Sequence, residues 1–303
     1  MPLPVLKNTN SNTIPFHIAG EVTIWTGNTN STFNNGRNWT GQAPLNDSSA
    51  YIVNSSADIT GGDFQSTSLK QLRIGPSYTG NIGTPGAPLR VMAETLVIDN
   101  RSSSINIRGS FRDIHIINGS NRIRVGGSQT RSLERLMIHG NGLNFEIYDG
   151  QCNRLIVSGN GNKITAPAGV THDNLLASIQ GFDEIRCASG STVSTRSGVN
   201  KLTVSGEVQV KGQAILGNTK MLPGSRIITE STGSVALRLT MFGGTFDVRN
   251  SSTGEAFVIN NADLFSGRMF SQFGETDITF SNDAKVLGPF DFQLKSGSTL
   301  AVS

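Results

Sequence analysis

Short pairs of apolar residues, each split by one intervening residue, recur along the middle of this chain and come two by two. Leu96-x-Ile98 is followed nine residues on by Ile105-x-Ile107, and Ile114-x-Ile116 by Ile123-x-Val125 at the same offset. Leu136-x-Ile138 leads to Phe145-x-Ile147, and Leu155-x-Val157 to Ile164-x-Ala166. A fifth unit, Leu176-x-Ser178 then Ile185-x-Cys187, keeps the spacing with one apolar residue lost. The units start at Leu96, Ile114, Leu136, Leu155 and Leu176, a period of about 20 residues. Alternation of inward apolar and outward polar residues is the mark of a half-buried strand. Strand pairs at this period, joined by Gly, Asn and Ser, predict the coils of a β-solenoid, in which each coil buries its inward residues only against its neighbours. The expected fold is all-β: a right-handed parallel β-helix with an N-terminal cap and an irregular, Phe-rich C-terminal β region.

Superposing the units assigns the outward positions. Midway through the second pair stand Asn106, Arg124, Glu146, Thr165 and Arg186, a polar ladder with both signs of charge. After the first pair come Asp99, Ile117, His139 and Ser158, then a corner built of Asn100, Asn118-Gly119, Gly140-Asn141 and Gly159-Asn160. Asn and Gly tolerate the left-handed backbone that such corners use. Stacked Asn side chains also hydrogen-bond from one coil to the next.

Outside the repeat the pattern changes. Residues 1–20 are Asn/Thr/Pro-rich and aperiodic, either an arm that crosses to a neighbouring molecule or a flexible tail. Residues 21–68 form a lead-in unit that holds both tryptophans, Trp25 and Trp39. Large rings there are suited to cover the open end of the first coil, whose edges are otherwise unpaired; a stacking platform for sugars is the alternative. The solenoid proper is assigned to residues 69–239 and opens with Leu69-x-x-Leu72-x-Ile74. The Gly/Pro segment Gly75–Pro88 reads as an insertion projecting from the stack, a common place for a binding face. Beyond residue 190 the spacing loosens, with Leu202-x-Val204 followed by Val208-x-Val210 after only six residues. Residues 240–303 carry nine of the fifteen phenylalanines. So much aromatic area either fills a wider core or forms a subunit interface. We assign the segment as a terminal cap that also takes part in oligomer contacts, with Phe242, Phe246, Phe270, Phe273, Phe290 and Phe292 as candidate interface residues.

Composition narrows the chemistry. Charged residues make up 16% of the chain, against about 25% in an average globular protein. Lys and Arg are scattered and the net charge is +3, so no nucleic-acid partner is expected. Cys152 and Cys187 belong to no CxxC or Cys/His cluster, and His17, His115, His139 and His172 lack metal-ligand spacing. A Cys152–Cys187 disulfide stays open; no metal or other cofactor is expected. Polysaccharide-cleaving solenoids set carboxylates about 5–10 Å apart on one face. Asp99, Asp113, Glu134, Glu146, Asp149, Asp183 and Glu184 supply no two acids in the same ladder of adjacent coils. No catalytic residue is assigned, and the expectation is that the protein is not an enzyme. The start, Met1 to Lys7, lacks the basic and apolar regions of a signal peptide, and no apolar run has membrane-spanning length. Synthesis in the cytoplasm and no membrane partner are the expectations.

Within the lead-in unit, Trp25-Thr26-Gly27, Asn38-Trp39, Pro44 and Asp47 form a pattern that resembles the opening segment of bacterial and bacteriophage β-solenoid surface proteins. Together with the repeat, the chain resembles phage solenoids of the head-decoration, fibre and tail-appendage type. The resemblance covers about 35 residues of the lead-in and the general style of the rest. It implies a structural protein of the virion: a projecting rod, homotrimeric, attached to capsid or tail proteins and able to touch host-surface glycans. Two other readings share the rod, a bacterial surface adhesin and a tailspike-type polysaccharide-degrading enzyme.

Overall fold

The computed structural model describes residues 21–119, 123–127, 133–147, 152–165, 182–195, 199–210, 215–229, 235–249, 257–271, 277–294 and 299–302. The apolar pairs form strands, and the strands stack in parallel. One ladder starts at Val22–Ile24, passes through Ser49–Ile52 and the end of Gly62–Ile74, then through the later halves of Leu89–Asp99 and Ile105–Asn118. It continues through Leu133–Ile138, Cys152–Val157, Phe182–Cys187, Val199–Val204 and Ile215–Met221. Val235–Val248, Phe257–Ser271 and Ala284–Val286 complete it.

A second ladder includes Ile123–Gly127, Asn144–Ile147, Lys163–Thr165, Thr192–Thr195, Glu207–Val210, Arg226–Thr229 and Phe290–Gln293. The early half of Ile105–Asn118 and the late halves of Val235–Val248 and Phe257–Ser271 pair within it. A third, shorter ladder aligns Phe182, Val199, Leu216, Ala236, Ile259, Phe280 and Val302. The fold is therefore an all-β parallel solenoid. Among the described residues the one helical element is the 3-10 turn Gly36–Asn38.

Register stacks like on like. Leu72, Leu96, Ile114, Leu136, Leu155, Ile185 and Leu202 share one inward column, and Ile74, Ile98, Ile116, Ile138, Val157, Cys187 and Val204 the next. All of them are buried. Adjacent coils lie one strand spacing apart, about 4.8 Å, so each side chain packs on its counterpart above and below.

Several sequence expectations need correction. Ile185 and Cys187 pair with Leu155 and Val157, so they form the first pair of their coil and not the second. Val193 follows Ile164 in the second ladder, while Leu176 and Ser178 lie outside the described residues. The looser spacing beyond residue 190 is a change in corner length, not in pairing. Only Ser205 and Gly206 separate Val199–Val204 from Glu207–Val210, yet both ladders continue. Thr219 also takes an inward place between Leu202 and Leu239, which dilutes the apolar signal there. Pairing likewise runs straight across residue 239 into the Phe-rich segment.

Gly75–Pro88 does not project as a loop. Tyr78 and Ile82 are fully buried, and Ile82 bridges Ile59 and Ile105 in parallel. The turn Thr84–Ala87 is exposed and closed by reciprocal backbone hydrogen bonds of 3.0 and 3.1 Å; Pro76, Ser77, Thr79 and Asn81 are exposed between the buried residues. At the corners after the first ladder, Gly142, Gly161 and Gly190 hold φ of 66°, 69° and 68°. Among the described residues Asp47 alone is a non-glycine at positive φ, so the corner Asn residues act by hydrogen bonding instead. The Asn160 N–H donates to Asn141 Oδ1 across coils at 2.8 Å. Buried Asn162 donates from Nδ2 to the Gly140 carbonyl and accepts at Oδ1 from the Leu143 N–H, both at 2.9 Å.

Candidate functional site

The lead-in unit closes on an aromatic cluster. Trp25 and Trp39 are 1% and 4% exposed. Trp39 meets Trp25 edge-on at 5.2 Å and Phe33 at 5.0 Å, and Phe33 meets Phe64 at 4.7 Å. The Trp39 indole N–H donates to the Phe33 carbonyl at 2.6 Å. Asn38 ties the turn together: Nδ2 donates to Asn30 Oδ1 and the Thr32 carbonyl, while Oδ1 accepts from the Thr29 and Asn30 N–H groups. Rings this deeply buried present no face for a sugar to stack on. Phe33 and Phe64 complete the cluster but carry no periodic signal, so the sequence pattern did not single them out.

Beside the cluster lie two adjoining shallow cavities of about 270 and 180 Å³ that share Gly61, Gly62 and Asp63. Arg90, which is paired in register with Asp63, lines the larger one.

Along the flanks, carboxylates meet cations of the neighbouring coil and of their own strand. Lys70 Nζ stands 2.7 Å from Glu94 Oε2, and Arg112 approaches both Glu94 and Asp113. Arg135 clamps Asp113 with two hydrogen bonds, Nε to Oδ1 and Nη2 to Oδ2. The hydrogen bond with Asp113 holds the Arg135 guanidinium further above its ordinary pKa. Glu184 is held by Arg186 at 2.8 Å with Lys201 nearby. Burial works against its charge, but the Arg186 hydrogen bond and the cations Arg186, Lys201 and Arg154 outweigh it and keep the carboxyl below its ordinary range. Asp247 is fully buried between Arg226 at 2.6 Å and Arg249 at 2.9 Å. Arg238 pairs with Asp263, and Arg268 with Asp291. These carboxylates serve as counterions.

His115 and His139 come together where the sequence pattern left them apart. Both project from the outer side of the first ladder, yet His115 is 5% exposed, and the neighbouring outward Val97 is 0% exposed. Nδ1 of His115 lies 3.1 Å from Nε2 of His139, and the rings stack at 5.4 Å with 11° between planes. Nε2 of His115 is buried without a hydrogen-bond partner. Burial lowers the pKa of both, His115 to about 4 with the neighbouring His139 adding to the shift.

The six candidate interface phenylalanines do not form one surface. Phe246 is fully buried, in the inward column of Ile227 and Met269. Phe270 sits half-buried on the outer side between Asp247 and Gln293, and Phe290 and Phe292 pack against the core 4.8 Å apart. Phe273 lies outside the described residues. Phe242 is 37% exposed and stacks on Phe265 at 4.9 Å, with Lys220 Nζ 5.0 Å from its ring. Strand parity decides these fates, and counting aromatics ignores parity. Among the described residues, the large exposed apolar side chains of this end are Ile215, Leu237, Phe242, Phe265, Val286, Leu287 and Leu300.

Cys187 is a free, buried thiol whose Sγ lies 3.3 Å from the Ser191 carbonyl, and burial pushes it up to about 12. Such a thiol is no nucleophile at neutral pH. Among the described residues no three His, Cys, Asp or Glu side chains gather as a metal site. No protein-family model, curated protein or solved structure matches the chain.

Proposed function

We propose that the chain is a structural rod of a bacteriophage particle, a projecting capsid-decoration, fibre or appendage protein that works by its shape and its attachments. The observation that carries this reading is the parallel ladder that runs from Val22–Ile24, beside the aromatic cluster, to Ala284–Val286. A rod of this kind is stiff because every coil hydrogen-bonds to the next along its length. The ionic flanks support a non-enzymatic role: Asp113, Glu184 and Asp247 are each bound by guanidinium groups, the opposite of a carboxyl tuned to give up or take a proton. The phage assignment rests on the resemblance of the Trp25–Asp47 segment. Attachment and self-association, as a homotrimer, are assigned to the C-terminal third, where seven large apolar side chains from Ile215 to Leu300 are exposed.

The test is to purify particles from a host that produces the protein and look for it by mass spectrometry and antibody labelling. Stoichiometric presence on the particle supports the proposal; absence from it overturns the proposal. Shortening of host capsule or lipopolysaccharide by the purified protein would overturn the non-enzymatic part.

A further inference from the structure

We infer that the His115–His139 pair is an acid-sensitive latch on the flank of the solenoid, closed while both imidazoles are neutral and released when protons are added. The geometry admits one comfortable arrangement. His115 Nδ1–H donates to His139 Nε2, which leaves the buried His115 Nε2 as a bare lone pair. A buried acceptor without a partner is cheaper than a buried N–H without one. Protonating His115 at Nε2 creates that orphan N–H. Protonating His139 at Nε2 removes the acceptor and turns N–H against N–H. With both rings charged, two cations would stack 5.4 Å apart, one of them buried.

The surroundings offer little relief. From its own strand, Asp113 favours a charged His115, but that carboxylate is already engaged by Arg112 and Arg135. From the next strand, Arg135 opposes the charge. Val97 and Met137, which flank His115 in register, carry no charge. Release therefore frees the corner that follows Ile138. Its backbone is held to the coil below by the His139 and Gly140 N–H groups, which donate to the Ile116 carbonyl at 2.9 and 3.4 Å.

Two measurements on the full chain test the latch. Nitrogen NMR of the imidazoles, followed from pH 8 to 4, is expected to keep the 115 ring neutral well below 6.5, to place the midpoint of the 139 ring below 6.5, and to show the 115 ring as the Nδ1–H form. Hydrogen exchange, corrected for intrinsic chemistry, is expected to lose protection at His139 and Gly140 by about tenfold per pH unit for each proton taken up, while Ile164 in the second ladder stays protected. His139→Leu removes the acceptor of the His115 Nδ1–H, so the Nδ1–H preference of the 115 ring should be lost in it. Titration of either ring near 6.5, or protection at His139 that follows Ile164 at every pH, overturns the inference without any variant.

Discussion

Arg135 reaches across one coil spacing to grip Asp113 by two hydrogen bonds, and the carboxylate it grips is 3% exposed. Removing one partner of such a buried pair leaves an under-compensated charge, whereas removing both is far milder. Arg135→Met should therefore lower unfolding stability by about 2–3 kcal/mol, and adding Asp113→Asn should recover most of that loss. Urea titration of the three proteins checks the order.

Both tryptophans of the chain are in the closing cluster, so intrinsic fluorescence reports on the first coil alone. Emission should be blue-shifted and resist acrylamide in the folded protein. Phe33→Ala should redden it and destabilise by about 3–5 kcal/mol, because Phe33 touches Trp25, Trp39 and Phe64.

Phe246 and Phe242 separate core from surface within four residues. Phe246→Ala should cost about 3–5 kcal/mol, and Phe242→Ala less than about 1 kcal/mol. If Phe242 and its stacked neighbour Phe265 belong to the association surface, Phe242→Ala also weakens self-association in sedimentation while leaving the melting temperature nearly unchanged.

A β-carbon added at Gly109 would stand 1.6 Å from the Val91 carbonyl oxygen of the coil below, whereas one added at Gly142 meets nothing within 4 Å. Gly142→Ala should thus cost only its left-handed backbone, about 1–2 kcal/mol. Gly109→Ala should cost more, since the strands must move apart. Thermal unfolding of the two variants gives the comparison.

Stability should fall as pH drops from about 6.5 towards 4. Unfolded His115 takes up a proton below its ordinary value of 6.5, while the folded form resists to about 4, so the unfolded state binds more protons throughout that window. The full effect is about 3 kcal/mol, present above 6.5 and lost at the acid end. The difference in urea midpoints between the unmodified protein and His115→Leu, followed with pH, isolates it from the carboxylates.

What could be read from the chain was what repeats locally. Leu96/Ile98 to Leu155/Val157 were legible because each inward pair sits between polar residues at a constant offset, and their register is the one observed. Ile185 and Cys187 were misassigned because the same offset also fits the wrong pair. Tyr78 and Ile82 were hidden by the glycines and prolines around them, although both are buried. The ionic clamps and the histidine pair depend on which outward residues face across coils, and that follows only from register. Asp113 and Arg135 are 22 residues apart in sequence and adjacent in space.

Leu136 and Leu155 take successive places in one inward column, between Ile114 and Ile185. Excising residues 136–154 would rejoin Arg135 to Leu155 with every column intact and the molecule shorter by one step of about 4.8 Å. The protein is in this sense a graduated ruler: its reach can be lengthened or trimmed one whole division at a time without touching either end.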